Sequence, residues 1–220
     1  MNVFAGTPAS LPNSTQNNHY KSALDLIGNT PLLELSIENG KAKVYAKAEF
    51  QNPSGSIKDR MVANIIKQAE IRGELTQGQT IVEATSGNTG VSLAMIAAIK
   101  GYKAVIVAPD SISSVKKNLM KFYGAKILFT DSDEGIKATM DRARKVAKDS
   151  GAYPLNQFRN PDNPKARARA SYYSKGDITS ARSGANIHIA WSLSQVLSNK
   201  VNVVTVLPDS GQRYLSSYLR

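Results

Sequence analysis

Two short stretches of this chain carry residue types at spacings that can do chemistry: QNPSGSIKDR at 51–60 and TSGNTG at 85–90. In the first, the turn Asn52-Pro53-Ser54-Gly55 runs into a helix predicted by Met61, Ile65, Ile66 and Ala69 at helical spacing and ended by Gly73. Lys58 then lies on the first helical turn. There the positive end of the helix dipole disfavours the ammonium and favours the neutral amine, the form that attacks a carbonyl. In the second, Thr85, Ser86, Gly87, Asn88 and Thr89 follow the apolar run TIVEA and precede GVSLAMIAAIKG, which makes them a strand-to-helix loop. Backbone N–H groups at such a helix start can hold a carboxylate or a phosphate. A nucleophilic amine beside an anion cradle points to amino-acid chemistry. Taken singly, each stretch has a plainer reading: a lysine at a helix start is usually a solvated charge, and a Ser/Thr/Gly loop before a helix is usually a cap.

The elements that must position these stretches alternate regularly. Gly28-Asn29-Thr30-Pro31 is a turn leading into the short strand LLEL, and KVYAKAEF (43–50) reads as a second strand. After the Lys58 helix come the strand TIVEA (80–84), a helix from Gly90, the strand KAVIVA (103–108), a helix over about 114–123 and the strand AKILFT (125–130). A helix with Ile136, Met140, Ala143 and Ala147 on one face follows, and KVNVVTVL (200–207) reads as a buried strand. Apolar runs separated by amphipathic helices predict an α/β fold with parallel strands covered on both faces. No GxGxxG follows any strand, so a dinucleotide site is not supported.

NPSGSIKDR and TSGNTG, in this order and at this separation, resemble the sequences of cysteine synthase (O-acetylserine sulfhydrylase), of the tryptophan-synthase-β-like, fold type II group of pyridoxal-phosphate enzymes. GNTP, KAEFQNPSGSIKDR, PDSISSVKKNLMKFYGAKILFT and YPLNQFRNPDNP extend the resemblance from about Leu24 to Pro164, and PDSGQRYLSSY resumes it near the end. It implies two three-layer α/β domains: a smaller one at 51–155, an incomplete larger one built from 21–50 and 156–220, and a mobile tail at 1–20. It implies pyridoxal 5'-phosphate as cofactor, held by Lys58, with Asn88 at its ring oxygen and Ser210 at its pyridine nitrogen. Thr85, Ser86, Gly87, Asn88, Thr89 and Gln157 would bind the carboxylate of the amino-acid substrate, and Lys58 would take the Cα proton. The implied reaction is β-replacement, O-acetylserine and sulfide giving cysteine and acetate. The resemblance also implies a homodimer and docking of the C-terminal tail of serine acetyltransferase in the cleft. Cystathionine β-synthase shares both motifs and is the nearest enzymatic alternative.

Between 165 and 199 the resemblance lapses. Family members carry there a Gly-Thr-Gly-Gly-Thr type loop that binds the cofactor phosphate, and this sequence contains none. A dianion needs several converging donors, each charge-assisted contact contributing about 1.5 to 3 kcal/mol, so its loss predicts much weaker cofactor binding. Family chains run to roughly three hundred residues, so part of the larger domain is expected to be missing, with 165–220 poorly ordered or dependent on a partner. A non-catalytic homologue that binds an amino acid or a partner peptide is therefore the reading from another class.

Composition bounds these expectations. The chain has 220 residues, 41% of them hydrophobic, enough for a real core. It has no cysteine, which excludes disulfides and thiolate metal sites. His19 and His188 lack ligand partners nearby and read as surface residues, so no metal is expected. No apolar run reaches membrane-spanning length, and 1–18 resemble neither a signal nor a transit peptide, which predicts a cytoplasmic protein. The net charge of +11 falls almost wholly in the second half, where residues 111–220 hold 18 basic and 8 acidic side chains. Without interleaved aromatics this reads as solvated helix faces and not as a nucleic-acid surface.

Overall fold

The β-branched and alanine-rich runs pair as their pattern demands. In the computed structural model, which describes residues 20–37, 39–163 and 182–209, β3 (Thr80–Ala84), β4 (Lys103–Pro109), β5 (Lys126–Thr130) and β6 (Tyr153–Pro154) form a sheet in the order β5-β4-β3-β6. All its pairings are parallel, with Glu83 opposite Ile106 and Val107 opposite Leu128. Parallel strands need long crossovers, and α1 (Lys58–Ile71), α2 (Asn88–Lys100), α3 (Ser114–Phe122) and α4 (Gly135–Ser150) supply helical cover. Ile81 and Ile106 meet Ile65, Ile66, Leu93, Ile96 and Met120 from α1, α2 and α3, while Val82, Ala84 and Val107 meet Ala143 and Ala147 of α4. Each such isoleucine or leucine contributes about 1.5 to 3 kcal/mol by leaving water.

α2 is buried along its whole first three turns, and Gly90 is what lets it approach so closely. A Cβ there would lie 2.5 Å from Met120 Cε and 2.9 Å from Thr85 Cγ2. α2 and α4 end at Gly101 and Gly151, both left-handed, the conformation that closes a helix without a Cβ penalty. Three expectations are corrected here. α2 begins at Asn88, so half of TSGNTG is already helix. The strand expected to reach Phe50 stops at Ala48, because Glu49 turns inward. Ile136 is 48% exposed and does not share the buried face of Ala143 and Ala147.

The second sheet joins the two ends of the described chain. β1 (Leu32–Leu35) runs antiparallel to β2 (Lys43–Ala48), and β2 runs parallel to β7 (Asn202–Leu207), with Val44 opposite Val203. α5 (Arg182–Val196) packs on β2 and β7, burying Ala190 with Ala42, Val44 and Val203. Residues 182–209, expected to be poorly ordered, thus form a helix and a strand seated on β2. β7 is not the fully buried strand expected, since Val203 is inside and Val204 is 39% exposed.

Candidate active site

Lys58 is held from both sides of its own backbone. On one side the Asn52–Ser56 turn is cross-linked: Ser54 N donates to Asp59 Oδ2 at 2.7 Å, and Asn52 Nδ2 donates to the Glu49 carbonyl at 2.7 Å. On the other, Asp59 Oδ1 accepts from Ser92 Oγ of α2 at 2.5 Å, and the hydroxyls of Ser54 and Ser92 lie 3.0 Å apart. Arg60 grips Glu49 with two parallel bonds, Nε to Oε2 at 2.7 Å and Nη2 to Oε1 at 2.9 Å, and Thr30 Oγ1 donates to Glu49 Oε1 at 2.7 Å. Burial alone pushes the Glu49 carboxyl up, but Arg60, Thr30 and Asn52 together hold it below its usual range. Asp59 and Glu49 are fully buried while Lys58 between them in sequence is half-exposed, so the scaffold is internal and the amine is accessible.

The 85–90 loop is tied with equal care. Gly87 N donates to Thr85 Oγ1 at 3.1 Å and Gly90 N to the Gly87 carbonyl at 3.0 Å, so two of the amides expected to face a ligand are used within the loop. Thr89 Oγ1 donates to Gln157 Oε1 at 2.7 Å, and Gln157 Nε2 donates to the Ala84 carbonyl at 3.2 Å. Gln157 N in turn donates to Glu83 Oε2 at 3.4 Å. Burial pushes the Glu83 carboxyl up to about 7, against the opposing hydrogen bonds from the Gln157 and Asn156 backbone. Ser86 stands exposed at the tip, and the ammonium of the buried Lys116 lies 4.0 Å from where a Gly87 Cβ would be.

The chain beyond β7 joins these two pieces. Ile57 N donates to the Pro208 carbonyl at 2.9 Å, Ser56 and Asp209 form a β-bridge, and Asn88 Nδ2 donates to Asp209 Oδ2 at 2.6 Å. Lys58, Thr85, Ser86, Gly87, Asn88, Thr89 and Gln157 are therefore brought to one end of the four-stranded sheet, beyond the carboxyl ends of β3 and β4, where open α/β sheets bind ligands. Ser210 lies outside the described residues. Asp209, Ser92, Asp59, Lys116 and Glu83 were not singled out from sequence. Two of them left a trace: Glu83 is an acid inside an apolar strand, and Lys116 shares a helix face with Met120, four residues on.

The donor set fits an aldehyde-bearing cofactor. Lys58 is a half-buried primary amine on a helix start and Asn88 a neutral amide able to bond a ring oxygen, on two segments that both bond the 208–209 stretch. No phosphate-binding group is assigned among the described residues.

Parallel strands covered on both faces, with a helix-start lysine set against a Ser/Thr/Gly loop, define the class: the tryptophan-synthase-β-like, fold type II architecture. The family model described as pyridoxal-phosphate dependent enzyme matches residues 23–181, and the chain belongs to that family. This match runs past Pro164, where the sequence resemblance was expected to stop. Cysteine synthase B of Pseudomonas aeruginosa is 40% identical over 170 residues, covering 76% of this chain and 56% of that protein. The chain spans about half the length of the curated relatives it matches. Among solved structures, O-ureido-L-serine synthase superposes with a TM-score of 0.82 at 26% identity, covering 91% of this chain and 95% of that one. A hydrogen sulfide-producing enzyme from Fusobacterium nucleatum gives a TM-score of 0.64 at 43% identity, covering 67% of this chain and 50% of that one. Among the described residues no helix is long and apolar enough to cross a membrane.

Proposed function

We propose that this chain is a cysteine synthase-type protein whose site performs β-replacement on an amino acid: O-acetylserine and sulfide to cysteine and acetate. The observation that supports the reading is the convergence of the Lys58 turn and the Asn88 loop on Pro208 and Asp209. In support, cysteine synthases are among the curated relatives, at 40 to 44% identity. Pyridoxal phosphate, when bound, supplies the electron sink that makes a Cα proton removable. Lys58 and Asn88 would hold it, with Ser210 at its ring nitrogen.

The protein's own residues do the rest. Thr85, Ser86, Gly87, Asn88 and Thr89 bind the substrate carboxylate, and Gln157 keeps Thr89 in place. Lys58 takes the proton from Cα as the general base. The NPSG turn and the 85–90 loop, cross-linked through Asp59 and Ser92, keep amine and carboxylate site at a fixed separation, the positional component of the rate. The three-stranded sheet is the remnant of the larger domain and the four-stranded one the smaller domain. The protein works in the cytoplasm as a homodimer, and the tail of serine acetyltransferase competes for the same loop.

The test is titration of the purified chain with pyridoxal phosphate, followed by visible absorption. A new visible band that Lys58→Ala abolishes supports the enzyme. Absence of any band favours the second reading, a non-catalytic homologue, for which the missing Gly-Thr-Gly-Gly-Thr loop speaks.

A further inference from the structure

The acid-binding loop rests on a second acid. Glu83 is the residue before Ala84 and Thr85, at the end of β3, and only 3% of it is exposed. Its Oε2 accepts the Gln157 N–H, and Gln157 spans back with both ends of its carboxamide, to Thr89 Oγ1 at 2.7 Å and to the Ala84 carbonyl at 3.2 Å. Asn163 Nδ2 holds the Gln157 carbonyl at 2.6 Å, and Asn156 sits in the left-handed region at φ 53°, so the backbone that presents Gln157 is tightly specified. The chain of contacts is unbroken: carboxyl of Glu83, backbone and amide of Gln157, hydroxyl of Thr89.

The groups around Glu83 are mostly neutral, with two guanidiniums at the cavity it lines. On β4, Ile106 stands opposite Glu83, and α2 contributes the neutral Thr89, bonded to Gln157, and Ser92, bonded to Asp59. Tyr153 lies on β6, and Lys116 of α3 reaches the loop at Gly87. Glu83 lines one small cavity with Arg144 of α4 and Arg159, and Arg144 is paired with Asp141 at 2.6 Å. Among the described residues Glu83 makes no ion pair.

We infer that Glu83 is a positioning residue of the acid-binding loop, which holds Gln157 and through it Thr89, and that it takes up a proton when a carboxylate occupies the loop. This rests on the reading of 85–89 as a carboxylate site. Two negative charges in one poorly solvated place cannot both persist, and the one free to neutralise is the buried Glu83. The protonated carboxyl still accepts the Gln157 N–H through its carbonyl oxygen, so the loop keeps its support. That burial already raises the Glu83 carboxyl to about 7 places the exchange within reach near neutral pH. Acidic ligands then bind with uptake of a proton and more weakly as the pH rises.

Propionate, which has no amine and so cannot react with a cofactor aldehyde, is the probe. The amide NMR signals of 85–89 report whether it binds, and the carbon-13 signal of the Glu83 carboxyl, assigned through its side-chain correlations in the wild-type protein, reports protonation. We expect the loop amides to shift, the Glu83 titration midpoint to rise by about one pH unit at saturating propionate, and affinity to fall about fivefold between pH 6 and pH 8. In Glu83→Gln the affinity becomes flat over that range. Loop amides that shift while the Glu83 midpoint stays put overturn the inference and leave the carboxylate site standing. Loop amides that do not shift overturn both. The wild-type carboxyl measurement decides the matter even where Glu83→Gln does not fold.

Discussion

The two sheets use the same kinds of residue and reach different degrees of burial. In the four-stranded sheet β3 is buried from Ile81 to Ala84, with helices on both faces. In the three-stranded sheet β1 exposes Leu32, Leu33 and Glu34, and β7 alternates between Val203 inside and Val204 outside. The first sheet owes its stability to its own crossovers. The second is tied on by a few polar links and one helix, yet it carries the segment that closes the site, Pro208 and Asp209. Function here depends on the less protected of the two regions.

The comparison breaks most visibly at the link itself. Arg60→Ala leaves Glu49 buried at the end of β2 without its guanidinium, and loss of one partner of such a pair costs about 3 to 5 kcal/mol. Because Glu49 is held below its usual range, the contribution of the pair is present above the unfolded carboxylate pKa and is lost as the pH falls through the lower folded value. Urea unfolding of wild type and variant at pH 7 and at acid pH checks both: a large gap at pH 7 that narrows in acid is expected. A gap under about 1 kcal/mol at pH 7 would mean that the second sheet does not depend on this tie.

Most strands of both sheets were legible in the sequence and the contacts that join them were not, for a physical reason. TIVEA, KAVIVA and AKILFT announce parallel strands because both faces are apolar, and the α1 positions Met61, Ile65, Ile66 and Ala69 are all buried as their spacing predicts. Lys58 and Asn88 were singled out because a helix start leaves a signature in the residues around it. The residues that hold them were not: Asp59 to Ser92 and Asn88 to Asp209 join positions 33 and 121 apart in the chain, and no local pattern encodes such a pairing. β7 was expected as a strand and is one, only less buried, whereas α5 was not expected, its exposed Ile189 and Trp191 diluting the periodicity by which a helix is recognised.

Glu83 sharpens the contrast inside the better-packed sheet. Its folded pKa of about 7 stands above the usual 4.5, so the native chain holds a proton that the unfolded chain has released between those values. Stability therefore falls as the pH rises through that window and levels off above it, by about 3 kcal/mol if the acid goes fully ionised. Glu83→Gln, which can still accept from Gln157 N–H, should remove this slope and be the more stable protein at pH 8. Equal slopes for wild type and variant between pH 5 and pH 8 would show that the carboxyl is better solvated than its burial implies.

The two glycines of the loop separate packing from access. Gly90→Ala puts a methyl into Met120 and Thr85 and is expected to cost about 1 to 3 kcal/mol, read as a lower thermal midpoint. Gly87→Ala meets only Lys116 Nζ at 4.0 Å and should change stability by about 0.5 kcal/mol or less, while a methyl at the mouth of the loop weakens binding of a carboxylate. Equal loss of stability in both would put Gly87 in the core and not at a site.

The smallest effect bears on the less protected sheet directly. Val203 and Val204 are neighbours on β7, one 8% and one 39% exposed, and a valine-to-threonine exchange keeps the shape while adding a hydroxyl. At Val203 that hydroxyl is buried against Val44 and Ala190 and costs about 1 to 3 kcal/mol; at Val204 water satisfies it and the change stays within about 0.5 kcal/mol. Because the strand period is two, these adjacent substitutions sample opposite faces of one sheet in one protein, with composition and strand propensity held constant. A penalty at Val204 equal to that at Val203, growing with protein concentration, would mean that a second copy covers this face in solution. The β2–β7 pairing, and with it the placement of Asp209 beside Asn88, would then be stabilised by assembly and not by the single chain alone.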